Sequence, residues 1–104
     1  MNRGEVWWAD VPDAGRRPVL LLSRDDAYAY RAMILVAPIR TRIRGVVAEV
    51  LLGQDEGLAR PSAVNLDAIR LLAKHRLLDH TGSLDRQKMI AVERAIHYAL
   101  GLSY

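Results

Sequence analysis

Arg16-Arg17-Pro18-Val19-Leu20-Leu21-Leu22-Ser23 is the stretch on which the reading of the fold turns. An arginine pair runs into five apolar residues that do not alternate with polar ones. Alternation marks a strand with one wet face, so its absence here points to a strand buried on both faces. Pro18 stands at the mouth of the run, where a missing N–H is tolerable. Arg17 is then a cation fixed to the end of a rigid central strand, a placement suited to an anion such as phosphate. The plain alternative is a solvated surface arginine.

Working outward, Gly4 to Val11 is rich in β-formers and reads as a strand. The turn residues Pro12-Asp13-Ala14-Gly15 join it to the run at 17–23, making a hairpin. Arg24 to Arg31 is polar and reads as a loop or one loose helical turn. Ala32 to Ala37 is a second buried strand, ended by Pro38. Arg40 to Gly45 is a basic connection, and Val46 to Leu52 a further strand. Gly53 to Gly57 is a loop. Ser62–Leu66 and Ala68–Leu72 are two short strands, and Lys74 to Asp79 is a short turn of helix. The last element is a helix with Ser83 as N-cap, Asp85 in its first turn and Gly101 beyond its end. Met89, Val92, Ile96 and Leu100 form its apolar stripe. The outline is mainly β (α+β): a small barrel of five to seven short strands with a C-terminal helix, one domain over 1–104, without repeats or low-complexity tracts.

The 104 residues are 51% apolar, enough for one core. There is no cysteine, hence no disulfide or thiolate metal site. No apolar run reaches the ~20 residues of a membrane span, and the N-terminus lacks the apolar core of a signal peptide. A cytoplasmic protein away from the membrane is the expectation. The formal net charge is +3, and the basic residues are Arg except for Lys74 and Lys88. Arginine offers a planar fork for phosphate and stacks on bases. This balance favours an anionic partner, nucleic acid first, although a GC-rich genome, which encodes Arg cheaply, produces the same bias.

The usual catalytic constellations are missing. There is no Gly-rich phosphate loop and no Ser-centred nucleophile elbow. His75, His80 and His97 show no metal spacing and read as surface or helix-face residues, so no metal or cofactor is expected. Arg40, Arg42 and Arg44 alternate with Thr41 and Ile43, and in extended chain they share one face. That row is either a solvated edge guard or a wall that tracks phosphates. Trp7, Trp8, Tyr28 and Tyr30 are core residues or stacking platforms for bases.

Arg3-Gly4-Glu5-Val6-Trp7 resembles the opening of MazF/PemK-type toxins of bacterial toxin–antitoxin modules. Arg17-Pro18-Val19-Leu20, Val36-Ala37-Pro38-Ile39, Arg44-Gly45, Glu49-Val50 and Ser62 to Arg70 continue the resemblance in order. Arg76-Leu77, Gly82, Leu84 and Ala99 to Leu102 complete it, so that it spans nearly the whole chain. The resemblance implies an SH3-like barrel of the MazF/CcdB kind, usually a homodimer. It implies a metal-independent endoribonuclease that cuts single-stranded RNA by 2′-OH attack, leaving a 2′,3′-cyclic phosphate and a 5′-OH. An acidic, partly disordered antitoxin is the implied protein partner.

In the family the arginine before the "PV" strand is catalytic, here Arg17, and a threonine after the "VAPI" strand is its partner. The aligned position holds Arg40, with Thr41 one residue later. Thr41 is therefore the expected partner, and Arg16, Arg40, Arg42, Arg44, Asp67 and Arg70 the expected RNA-binding set. No obvious general base exists; Asp67 and a water are the candidates. The turn at 12–16 lacks the family's longer loop and the acidic residue that loop carries, which leaves the site more open. Two other readings stay in view: a CcdB-like toxin acting on DNA gyrase, and a barrel that binds nucleic acid without cutting it. A gyrase poison is expected to carry a C-terminal Trp-type contact, whereas this chain ends Gly101-Leu102-Ser103-Tyr104.

Overall fold

The computed structural model describes residues 1–102, so Ser103 and Tyr104 of that tail lie outside the described residues. Seven strands are present: β1 (Glu5–Val11), β2 (Gly15–Leu21), β3 (Met33–Arg40), β4 (Glu49–Leu52), β5 (Ser62–Asn65), β6 (Arg70–Ala73) and β7 (Leu77–Ser83). A single helical turn, α1 (Ala27–Tyr30), precedes β3, and the helix α2 (Arg86–Ala99) closes the chain. All pairings are antiparallel, in the order β4-β5-β3-β2-β1-β7, with β6 also on β3.

The run at 19–22 is buried on both faces, as its lack of alternation implies. Leu20 and Leu22 face one cluster with Val6, Ala37, Ile39, Val64 and Leu66, and α2 caps it with Val92 and Ala95. Val19 and Leu21 face a second cluster with Ala9, Ile34, Val36, Leu72 and Tyr28 of α1. Period two along β2 thus feeds two cores at once, and the strand has no wet side beyond Pro18. This clamps the backbone to which Arg17 is attached.

β3 does not stop at Pro38; it runs on to Arg40. Leu35 accepts a backbone hydrogen bond from Leu22, so odd residues of β3 face β2 and Pro38 presents its nitrogen to the opposite edge. On that edge the partner changes. β6 pairs up to Val36 and β5 begins at Ile39. Pro38 falls in the gap, where no ladder hydrogen bond is lost.

The stretch 74–79 holds only a 3-10 turn, Lys74–Arg76, and β7 follows it directly. β4 starts at Glu49, three residues later than expected, because Val46 to Ala48 form a turn closed by the Glu49 N–H on the Val46 carbonyl. At α2 the N-cap is Asp85, whose carboxylate accepts from the Lys88 N–H at 2.8 Å, while Ser83 still belongs to β7 and pairs with Glu5. Ala95 is buried where Leu100, at 61% exposure, is not. The helix ends as the sequence implies, with Gly101 at a φ of 67° and the Leu102 N–H reaching back to the His97 carbonyl.

Candidate nucleic-acid cleft

The β1–β2 hairpin is tight. Val11 pairs with Gly15 across the three residues between them, with Asp13 at a φ of 66° and Gly15 at 75°. No long loop folds over the end of β2. Beside it the chain leaves a cleft of about 790 Å³. Its floor is the apolar end of the barrel: Val19, Val36, Pro38 and Ile39. Its walls come from three segments that are distant in sequence. β2 supplies Arg17, the end of β3 and the residues just after it supply Arg40, Thr41 and Arg42, and the stretches around β5 and β6 supply Arg60 and Arg70.

Five arginines therefore surround one cleft, with Asp13 as its single carboxylate. Among the described residues none of these five guanidinium groups is in an ion pair; Arg3, Arg16, Arg24 and Arg76 are. The cleft arginines are exposed, so they stand solvated and available to an anion. An apolar floor with a cationic rim suits a ligand with flat apolar parts joined by phosphates.

The structure gathers Arg17, Thr41, Arg40, Arg42 and Arg70, and separates the other expected residues from them. Arg16 points from the other face of β2, paired with Asp79 at 3.0 Å and lying over the Trp8 ring. The Asp79 carboxylate and the Trp8 ring take up the Arg16 guanidinium, and Arg16 does not line the cleft. Arg44 does not line the cleft. The ladder ends at Arg40, and the chain then turns at Gly45 (φ 71°), where the Glu49 carboxylate accepts from the Arg44 and Gly45 N–H groups at 3.0 and 2.9 Å. The expected row of three arginines is thereby broken after two. Asp67 lies off the cleft in a 3-10 turn, its N–H bound to the Asn65 side chain.

Two cleft residues escaped the sequence reading as site candidates. Arg60 lies in an irregular segment with no periodicity to locate it. Asp13 was read only as a turn former; its tight left-handed turn carries a carboxylate to the cleft after all, in place of the one expected to be missing.

The aromatic residues divide in the same way. Tyr28 is core: its hydroxyl donates to the Ser23 carbonyl, and burial, then the neighbouring Asp25 charge, push its pKa up to about 12. Tyr30 stands outside, against Arg24. Trp7 stacks on His80 at 5.3 Å between ring centres and donates to Glu5 at 2.9 Å, away from the cleft. Burial pulls the Glu5 pKa up, but the Trp7 indole, the Asn2 backbone and His80 together bring it below the usual carboxylate value. Trp8 alone of the four lines the cleft. Among the described residues no three His, Cys, Asp or Glu side chains form a group that could hold a metal ion, and no helix is long and apolar enough to cross a membrane.

The comparisons with known proteins agree with this architecture. Residues 2–100 match the family described as PemK-like, MazF-like toxin of type II toxin-antitoxin system. "Probable endoribonuclease MazF5" of Mycobacterium tuberculosis is 43% identical over 103 residues, covering 97% of this chain and 94% of its own. "Endoribonuclease EndoA" of Bacillus subtilis is 30% identical, covering 98% and 96%. Among solved structures, Mycobacterium tuberculosis toxin MazF-mt6 superposes with a TM-score of 0.91 at 30% identity, over 96% of this chain and 99% of that one. A mycobacterial endoribonuclease in complex with its cognate antitoxin gives 0.90 at 28% identity, over 100% and 98%. Through its strand order, its cleft and a match that runs nearly end to end, this chain belongs to the PemK-like, MazF-like family of type II toxin–antitoxin toxins.

Proposed function

We propose that this protein is the toxin of a toxin–antitoxin pair and an endoribonuclease that cuts single-stranded mRNA in the cytoplasm without a metal or other cofactor. The observation that carries the reading is the cleft beside the exposed half of β2, where Arg17 precedes the doubly buried run and four further arginines surround the same cleft. The names of the relatives point the same way.

RNA brings its own nucleophile. The 2′-oxygen attacks the adjacent phosphorus, the P–O5′ bond breaks, and the products are a 2′,3′-cyclic phosphate and a 5′-OH. One proton leaves the 2′-OH and one arrives on O5′. What the protein must supply is in-line positioning, stabilisation of the charge on the phosphorane, and a route for those protons. Arg17 takes the charge-stabilising role; a guanidinium stays protonated far above neutral pH and is a poor proton donor. Thr41 donates its hydroxyl to a phosphate oxygen. Arg40, Arg42, Arg60 and Arg70 hold flanking phosphates. Asp13 replaces Asp67 as the proton acceptor, because it is the carboxylate that lines the cleft.

An acidic antitoxin segment laid into the same cleft neutralises these arginines and excludes RNA; the toxin itself works as a homodimer of this one domain. The deciding experiment is incubation of the purified protein with a defined RNA in EDTA, followed by analysis of the cut ends. Cyclic phosphate and 5′-OH ends are expected. Intact RNA together with inhibition of DNA gyrase favours the CcdB-like reading, and intact RNA that stays bound favours a non-cutting barrel.

A further inference from the structure

Trp8 has a setting that the cleavage chemistry does not use. Its ring lines the cleft, the one aromatic ring to do so among the described residues. Arg16 lies over that ring, its guanidinium carbon 5.5 Å from the ring centre, and Arg16 does not line the cleft. Arg16 is in turn held by Asp79 on β7 at 3.0 Å. The backbone register enforces the stack, because Trp8 pairs with Pro18 on one side and with Asp79 on the other. The result is a brace of three layers, Asp79 on Arg16 on Trp8, with the indole as its inner end.

We propose that Trp8 is a stacking subsite for one nucleobase of the bound strand, and that Arg16 and Asp79 act as positioning residues that hold the ring in place. This rests on the reading of the cleft as an RNA site and adds a base-contacting element to a rim that otherwise offers phosphate contacts. The physical case is one of orientation. An indole free to rotate loses entropy when a base settles on it. A ring already backed by a guanidinium has given up part of that freedom on folding, and Trp8 lines the cleft. Any base has a π-face, so the subsite requires a base without choosing among bases by hydrogen bonds. It also sits beside Arg17, on the strand paired with it: Trp8 faces Pro18, and Arg17 faces Ala9. A stacked base is thereby anchored in the same cleft as the charge that stabilises the phosphorane.

The test separates base contact from phosphate contact. Fluorescein-labelled single-stranded 2′-deoxy 12-mers of mixed sequence and a tetrahydrofuran abasic 12-mer of equal charge are titrated against the whole protein. Neither probe has the 2′-OH nucleophile, so neither is cut by the proposed route. The wild type is expected to prefer the base-bearing strands, and Trp8→Leu to weaken that binding by roughly tenfold while leaving the abasic strand unaffected. Trp8→Phe keeps most of the preference. Arg16→Leu loses part of it, with abasic binding again unchanged. Unchanged abasic binding also reports an intact fold. The proposal is overturned if Trp8→Leu leaves base-bearing binding at the wild-type level, or if Trp8→Phe loses the preference as completely as Trp8→Leu does. Cleavage is assayed separately on RNA. A wild type that binds with this preference and does not cut overturns the proposed activity and leaves the subsite standing.

Discussion

Lys88 Nζ lies 2.6 Å from Glu56 Oε2, and Glu56 is 2% exposed. The other carboxylate oxygen accepts the Gly53 N–H at 2.7 Å. The pair ties α2 to the segment that runs on through Leu58 and Ala59 to Arg60 at the cleft. The fit around it is close: a Cβ on Gly82 would stand 2.1 Å from the Glu56 carbonyl oxygen. The hydrogen bond to Glu56 raises the Lys88 pKa, so the lysine is charged throughout the neutral range. Removing it strands a buried carboxylate. Lys88→Met is expected to cost about 3 kcal/mol in urea unfolding, and Lys88→Arg much less. A Lys88→Met protein as stable as the wild type contradicts this role.

Tyr28 predicts an alkaline limit. The folded protein keeps the phenol protonated until about pH 12, whereas an unfolded tyrosine ionises near 10. Between these values the unfolded chain releases a proton that the folded chain retains, so stability falls as pH rises. The contribution is fully present below pH 10, and about 2.5 kcal/mol of it is lost by pH 12. Lys88, with its raised pKa, acts in the same direction, so the comparison must be with Tyr28→Phe. That variant loses the hydrogen bond to Ser23, costing about 1 kcal/mol at pH 7. Its stability is expected to decline less from pH 9 to 11 than that of the wild type, as read by urea unfolding at each pH.

Arg60 is exposed, in no ion pair among the described residues and far from Arg17 in sequence, so its removal leaves the core untouched. Arg60→Ala is expected to weaken binding of an uncleavable 2′-deoxy strand and to reduce the slope of log affinity against log salt by about 0.7, the share of one phosphate contact on a single strand. Arg86→Ala, on the exposed start of α2, serves as the control and leaves the slope unchanged. Equal slopes for the Arg60 variant and the wild type remove Arg60 from the RNA path.

Much of this was legible in the letters, for identifiable reasons. The doubly buried β2 announced itself because an apolar run without alternation leaves a strand no face to turn to water. α2 announced itself through its period and its Gly101 stop. β7 did not, because Leu77-Leu78-Asp79-His80-Thr81-Gly82-Ser83 has no buried residue; it is an edge strand carried by backbone pairing to β1, which leaves no hydrophobic signature. Arg17 was read from the apolar run behind it, Arg40 and Arg42 from their alternation, and Thr41 and Arg70 from the resemblance; all five line one cleft. Arg16 lies outside the cleft because Asp79 and the Trp8 ring hold it, and Arg44 because an alternating pattern is a row only while the chain stays extended. Arg60 and Asp13 were not identified as cleft residues because irregular segments and turns place side chains by geometry that has no period.

The role proposed for Arg17, which stands in β2 just ahead of its doubly buried run, is to stabilise the charge on the phosphorane. It is tested most directly by single-turnover cleavage of a defined RNA in EDTA by the wild type and Arg17→Ala, with thermal unfolding of both. Cyclic phosphate and 5′-OH ends are expected from the wild type, with a cleavage rate at least a hundredfold lower for Arg17→Ala and similar melting temperatures. An Arg17→Ala protein that cuts at the wild-type rate would contradict that role.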